Sequence, residues 1–290
     1  MRMTELTAEW QGWLSDNVAR GCSSESMIDA MVRAGFDSTH AGALVHVYAR
    51  GGLASPSSFK PAAVAARPDA GYVYDDLPFE AGNRLDGGDR RVAVAMRCDK
   101  PQVLVLDGVL SHEECDEIIE RSRSKLSRST TVDPQTGGES VIERRTSDGT
   151  FFKLCEDEFI ARIDTRVSRL MNWPLENGEG LQILRYGVGG EYSPHFDYFP
   201  PADPGSATHV ARSGQRVATM VIYLNDVEAG GATIFPDAGL SVTPRKGCAV
   251  YFRYANGRGQ LDPLTLHGGA PVTAGEKWIM TKWMRERRYG

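Results

Sequence analysis

A chain of 290 residues has room for one large domain of about 200 residues and a small one. Its 41% hydrophobic content supplies a sizeable core, while a net charge of −5 lacks the basic field that nucleic-acid binding needs. The five cysteines (Cys22, Cys98, Cys115, Cys155, Cys248) are widely spaced, odd in number and without a CxxC, which excludes a zinc knuckle or disulfide framework and points to reduced thiols. No apolar run reaches the roughly 18 residues of a membrane span, and none near the N-terminus is long enough for a secretory signal. The expectation is a cytoplasmic protein with neither nucleic acid nor membrane as partner.

Residues 1–50 read as a small helical module. Trp10, Trp13, Leu14 and Val18 recur at helical spacing and the run stops at Gly21; 24–36 and 39–52 give two more short helices. The simplest reading is a helical cap on the main domain. Residues 51–75, rich in Ala, Pro, Ser and Gly, read as a linker, which leaves 76–290 as the second domain. There the pattern is α+β. Segments 90–96 and 101–108 read as strands, and 110–124 as a helix opened by a Ser111/Glu114 capping box. A second helix over 156–173 places Phe159, Ile160, Ile163, Val167, Leu170 and Met171 on one face. Beyond 180 the period becomes that of strands, at 181–186, 216–226, 240–244, 247–254 and 276–286, separated by Gly/Pro turns. Helices followed by many short strands predict helices packed on a two-sheet β-sandwich or jelly roll.

His195 and Asp197 stand at i and i+2 in "SPHFDYF", a spacing that puts both on one side of a strand. His267, 72 residues on, is the candidate third ligand. Two His and one carboxylate on one face of an ion leave coordination positions open, the facial triad of non-haem Fe(II) oxygenases, although the same ligands suit zinc or manganese. Lys277 follows on a predicted strand, where an inward ammonium is costly unless it meets an anion.

Five ordered motifs carry a resemblance. They are "RSTTVDPQTG" with "RRTSDGTFF", "LRYGVGGEYSPHFDYF", "QRVATMVIYLNDVEAGGATIFP", "KGCAVYF" and "LHGGAPVTAGEKWIMTKWMRER". From about 101 to 288 the chain resembles the prolyl 4-hydroxylase family of 2-oxoglutarate- and Fe(II)-dependent dioxygenases. The resemblance implies a double-stranded β-helix (jelly roll), iron held by His195, Asp197 and His267, and 2-oxoglutarate with its distal carboxylate on Lys277. It implies that Tyr186, Thr233 and Trp283 help hold or flank the co-substrate, and that Arg145, Ser147, Glu179, Tyr192 and Arg216 line a peptide groove. The implied chemistry, like that of procollagen-proline 4-dioxygenases, consumes O2, with L-ascorbate as reductant. It converts 2-oxoglutarate to succinate and CO2 and hydroxylates a prolyl residue of a peptide or protein at its 4-position. The first three helices, with a Gly35-Phe36 turn, resemble a ubiquitin-associated-type module; a homodimer stays open. One departure falls at Arg285, where relatives often carry histidine, and which could instead bind the carboxylate of a free amino acid or other small metabolite. A non-catalytic binding or sensing protein that recruits through the N-terminal helices is the alternative of another class. Residues 128–145 read as a polar lid over the substrate, or as a plain hairpin, and 200–214 as an extension at the groove rim.

Overall fold

The computed structural model describes residues 6–49, 71–77, 79, 82–132, 136, 138–140 and 146–290. The chain divides into two compact units, Met1–Asp69 and Ala70–Gly290. Most of the expected linker, residues 51–70, lies outside the described residues.

In the first unit three helices form: α1 (Ala8–Ala19), α2 (Ser24–Arg33) and α3 (Ser38–Ala49). Thr7 caps α1 by accepting from the Trp10 amide, and Ser23 caps α2 from the Ser26 amide, each satisfying one orphan donor. Leu14, Met27, Met31, Phe36, Val45 and Tyr48 make the core, with Trp10 edge-on to Trp13 and to Phe36.

The second unit is α+β. In chain order its elements are β1 (Arg84–Asp86), β2 (Arg91–Cys98), β3 (Gln102–Asp107), α4 (His112–Arg123), β4 (Ser127–Arg128), β5 (Thr131–Val132), β6 (Glu139–Ser140), β7 (Asp148–Phe152), α5 (Glu158–Leu170), β8 (Leu181–Tyr186), β9 (Tyr192–His195), α6 (Ser206–Ser213), β10 (Arg216–Tyr223), β11 (Ala229–Gly230), β12 (Thr233–Phe235), β13 (Leu240–Val242), β14 (Ala249–Arg253), β15 (His267–Gly269), β16 (Val272–Ala274) and β17 (Lys277–Arg285). Nine strands form one sheet in the order β1-β2-β3-β14-β10-β17-β8-β7-β4, and β13-β12-β15-β9 form a second. Tyr186, Val221, Tyr223, Phe252 and Ile279 from the large sheet cluster with Phe235 and Val242 from the small one, so the two sheets share a core and make a double-stranded β-helix. The other face of the large sheet is covered by Cys115, Ile118 and Ile119 of α4 and Ile160, Ile163, Val167 and Leu170 of α5.

Strand β17 is buried on both faces, which is why its sequence alternates only weakly. Trp278, Met280 and Met284 belong to the helix-side core, while Ile279 belongs to the core between the sheets. Lys282 shares the helix-side parity. Its ammonium, fully buried, donates to Asp164 Oδ1 of α5 at 2.7 Å and to the Glu179 carbonyl. A Cβ at Gly178 would stand 2.5 Å from Lys282 Cε, so only glycine leaves the lysine its path.

The Ser111/Glu114 capping box opens α4, with both reciprocal bonds made. Two features differ from the sequence expectation, and a third falls partly outside the described residues. Residues 71–75, expected to be linker, are tied into the second unit: Asp75 accepts from Arg253 and the Gly257 amide, and Val73 pairs with Gln260 and Asn256. The extension at 200–214 contains α6. The expected lid lies partly outside the described residues (133–135, 137 and 141–145); within it β5 pairs with β6 as a two-stranded hairpin.

Candidate metal centre

Antiparallel pairing of β9 with β15 sets His195 directly opposite His267. The close approach depends on the "HGG" motif, since a Cβ at Gly268 would stand 2.8 Å from the Tyr192 carbonyl. Strand β9 ends at His195, so Asp197 lies in the bend beyond it rather than on the strand. The bend carries its carboxylate between the two rings: Oδ1 lies 3.5 Å from His195 Nε2 and Oδ2 3.4 Å from His267 Nε2. One ligand atom from each residue falls within 4.8 Å of the others, the only such His/Cys/Asp/Glu group among the described residues.

The ring nitrogens are already assigned. His195 Nδ1 is 3.0 Å from the Ser193 carbonyl and His267 Nδ1 is 2.9 Å from the Thr265 carbonyl. A carbonyl only accepts, so both Nδ1 atoms carry the proton and both Nε2 lone pairs face Asp197. Burial, then the nearby His267, push the His195 pKa down, which favours the neutral ring a metal needs. The donor set therefore fits a divalent ion with two neutral nitrogens and one anionic oxygen. Tyr192 stacks on His195 with centroids 3.7 Å apart, and Phe252 packs on His267 at 4.5 Å, fixing both planes.

Sequence reasoning missed the support behind Asp197. Thr219 Oγ1 donates to Asp197 Oδ2 at 2.7 Å, and the Tyr254 hydroxyl lies 3.1 Å from Thr219 Oγ1. Since Thr219 spends its one proton on the carboxylate, Tyr254 donates to Thr219. Thr219→Val removes both bonds with little change of volume. Metal affinity should fall about 10–100-fold, measured by Co(II) or Fe(II) titration.

Lys277 opens β17 opposite Tyr186 of β8 and is 3% exposed. Its ammonium lies 5.6 Å from the Tyr186 ring and 5.9 Å from the Tyr223 ring. No carboxylate among the described residues pairs with it, and burial pushes its pKa down to about 8. Thr233 is buried on β12, where it accepts from the Tyr223 hydroxyl at 2.8 Å. Tyr223 is a second neighbour of Lys277 that the sequence reading does not single out.

Of the expected groove residues Tyr192 is the one stacked on His195, and the other four fall into three groups. Arg145 lies outside the described residues. Ser147 is fully buried, with its hydroxyl 3.0 Å from that of Ser129. Glu179 and Arg216 form a bidentate pair at 2.7 and 2.9 Å, the guanidinium lying 4.0 Å from the Trp283 ring centroid and its Nη1 3.4 Å from the Asp197 carbonyl. Burial pushes the Glu179 carboxyl up, but Arg216 and then Arg285 prevail and keep it ionised. Arg285, 3% exposed, donates to Glu179 Oε1 at 3.2 Å and to the His209 carbonyl. It is thus an internal group and not an open anion site.

Comparison with known proteins places this geometry among relatives. Residues 181–285 match the 2OG-Fe(II) oxygenase superfamily model. "Prolyl 4-hydroxylase 5" of Arabidopsis thaliana is 38% identical over 228 residues, covering 72% of this chain and 76% of that protein. The "Prolyl 4-hydroxylase subunit alpha-1" of Gallus gallus is 38% identical over 189 residues, 65% of this chain and 36% of its own length. Among solved structures, a viral collagen prolyl hydroxylase from Paramecium Bursaria Chlorella virus-1, in its 2-oxoglutarate complex, superposes with TM-score 0.50 at 31% identity, over 63% of this chain and 95% of that one. Identity at this level over most of a relative's length settles descent: the chain belongs to the prolyl 4-hydroxylase family of 2-oxoglutarate- and Fe(II)-dependent oxygenases.

Proposed function

We propose that this protein hydroxylates prolyl residues, at the 4-position, in a peptide or protein, with 2-oxoglutarate converted to succinate and CO2. The observation that carries the reading is Lys277: a buried ammonium without a carboxylate partner among the described residues, beside Tyr186 and Tyr223 of the core between the sheets, against whose Phe235 and Phe252 His267 packs. An ammonium so placed is costly unless an anion arrives, and a dicarboxylate that chelates a metal with one end presents its other end to a cation.

Bound Fe(II), with 2-oxoglutarate and O2, supplies the oxidation of an unactivated C–H bond. The chain's own residues do the rest. His195, Asp197 and His267 offer two neutral nitrogens and an anionic oxygen from one side, leaving the other side to ligands. Lys277, with Tyr186 and Thr233 beside it, receives the distal carboxylate. Arg216 is held between Trp283 and Phe199 at the Asp197 carbonyl, and with Glu179, Trp283 and Tyr192 it lines the approach of the peptide. The indole N–H of Trp283, buried and without a hydrogen-bond partner among the described residues, can donate to that ligand. L-Ascorbate serves as reductant. A cytoplasmic setting is part of this reading and rests on five cysteines that are all free.

The free-amino-acid reading leaned on Arg285 as a second anion site, and that guanidinium is engaged by Glu179 and His209. The test is succinate release with Fe(II) and ascorbate, in parallel with a proline-rich peptide, free L-proline and no substrate, beside His195→Ala. Peptide-stimulated turnover with hydroxyproline in the product, absent in the variant, is expected. Turnover with free proline alone, or none above the variant, would overturn the assignment.

A further inference from the structure

Arg285 sits where three parts of the second unit meet. From the C-terminal end of β17 its Nη1 reaches Glu179 Oε1, the same oxygen that accepts from Arg216 Nε. Its Nη2 donates to the carbonyl of His209 in α6. Its guanidinium lies 4.9 Å from the Phe199 ring centroid; the His209 ring stacks on Phe199 at 4.9 Å with planes 3° apart, and Arg216 lies 5.1 Å from the same ring. Phe199 is itself pinned, since its amide and carbonyl both bond the Gln215 side chain. One guanidinium thus links the carboxylate that orients Arg216 with the backbone of the helix that follows the metal-binding bend.

We propose that Arg285 is a positioning and specificity residue of the peptide groove: by bridging Glu179 and the His209 carbonyl it locks α6 and Arg216 into one rigid edge beside the triad. This rests on the peptide-hydroxylase reading above. The geometry requires a planar fork. Two donors on one flat group reach a carboxylate and a carbonyl in different directions while the face stays stacked on an aromatic ring, which a lysine ammonium cannot reproduce. The bridge also spreads the Glu179 charge over two cations, so Arg216 is held by an acceptor that cannot rotate away. The edge acts on the substrate through Arg216 and through α6; Arg285 itself touches neither the ion nor the reacting carbon.

The test compares the full-length protein with Arg285→Met, which keeps much of the packing volume, and Arg285→Lys, which keeps the charge but not the fork. In the iron-loaded enzyme, kcat/KM for a prolyl peptide should fall roughly tenfold or more, carried by KM, in both variants. Affinity for 2-oxoglutarate, read by calorimetry with Mn(II) in place of iron, should stay within about twofold of wild type. Discrimination between peptides with small and bulky residues next to the proline should narrow. A second measurement does not depend on turnover: amide hydrogen exchange should speed up in residues 206–213 and leave the β10 and β17 amides protected. Unchanged peptide KM with unchanged exchange in α6 overturns the proposal. So does full rescue by lysine, or equal loss of peptide and 2-oxoglutarate binding, which would mark a general structural role. If wild type hydroxylates no prolyl peptide, the functional reading falls, while faster exchange confined to α6 would still establish the clamp.

Discussion

Lys277→Ala should weaken 2-oxoglutarate binding by roughly 3–5 kcal/mol, more than a hundredfold in Kd, while metal affinity is kept. The size follows from leaving a carboxylate buried beside Tyr186 and Tyr223, the latter bonded to Thr233, once the Lys277 ammonium is gone. Calorimetry with Mn(II) and 2-oxoglutarate measures it, and a loss below tenfold would place the distal carboxylate elsewhere. The wild type should show a matching pH dependence. With its pKa pushed down to about 8 in the empty pocket, Lys277 is protonated below that value and binds the dianion fully; above it, affinity should fall about tenfold per pH unit. The same burial acts on stability with the opposite trend. The unfolded chain, with an ordinary lysine, binds more protons between about pH 8 and 10.4, so the empty protein loses less to this residue as pH rises through that window.

Asp164→Ala should destabilise the second unit by about 3–5 kcal/mol, because it strands the Lys282 ammonium where no water reaches it. For a unit of this size that lowers Tm by about 10 °C, read by calorimetry or circular dichroism. Lys282→Met together with Asp164→Leu should recover most of the loss, since removing both charges deletes the desolvation cost along with the attraction. Recovery should stay incomplete. Asp164 Oδ2 also accepts from the amide of Cys155, a residue held at φ 53°, and no leucine replaces that bond. A double variant no better than the single would mean that the pair carries less than the backbone bond does.

The chemistry was legible in the sequence where a charged residue interrupts an apolar strand pattern. Lys277 stands out at the head of "KWIMTKWMR", and the His195/Asp197 spacing is short enough to read by eye. The α4 and α5 helices were legible for the same local reason, through a capping box and an apolar stripe. What escaped was set by pairings distant in the chain. Glu179 meets Arg216 and Arg285 across 37 and 106 residues, and nothing local tells these groups from solvated surface charges. Thr219 left a faint signal, a hydroxyl in the buried run "RVATMVIY" with the parity of Val221 and Tyr223. Helix α6 hid in a short Gly- and Pro-flanked stretch whose eight residues carry too little periodicity to declare themselves.

Strand β17 faces two cores at once, and this bears on how the enzyme can change. Lys277, Ile279, Trp283 and Arg285 share the parity that faces the proposed site and the core between the sheets, while those between, Trp278, Met280, Lys282 and Met284, face α4 and α5. A substitution that tunes catalysis on this strand therefore sits one residue from a position on which folding depends, with little slack between them. Helix α6 has no such double duty within the sheet. New substrate preferences in close homologues should accordingly arise first by exchange of α6 and the residues flanking it, with β17 following only after stabilising changes elsewhere.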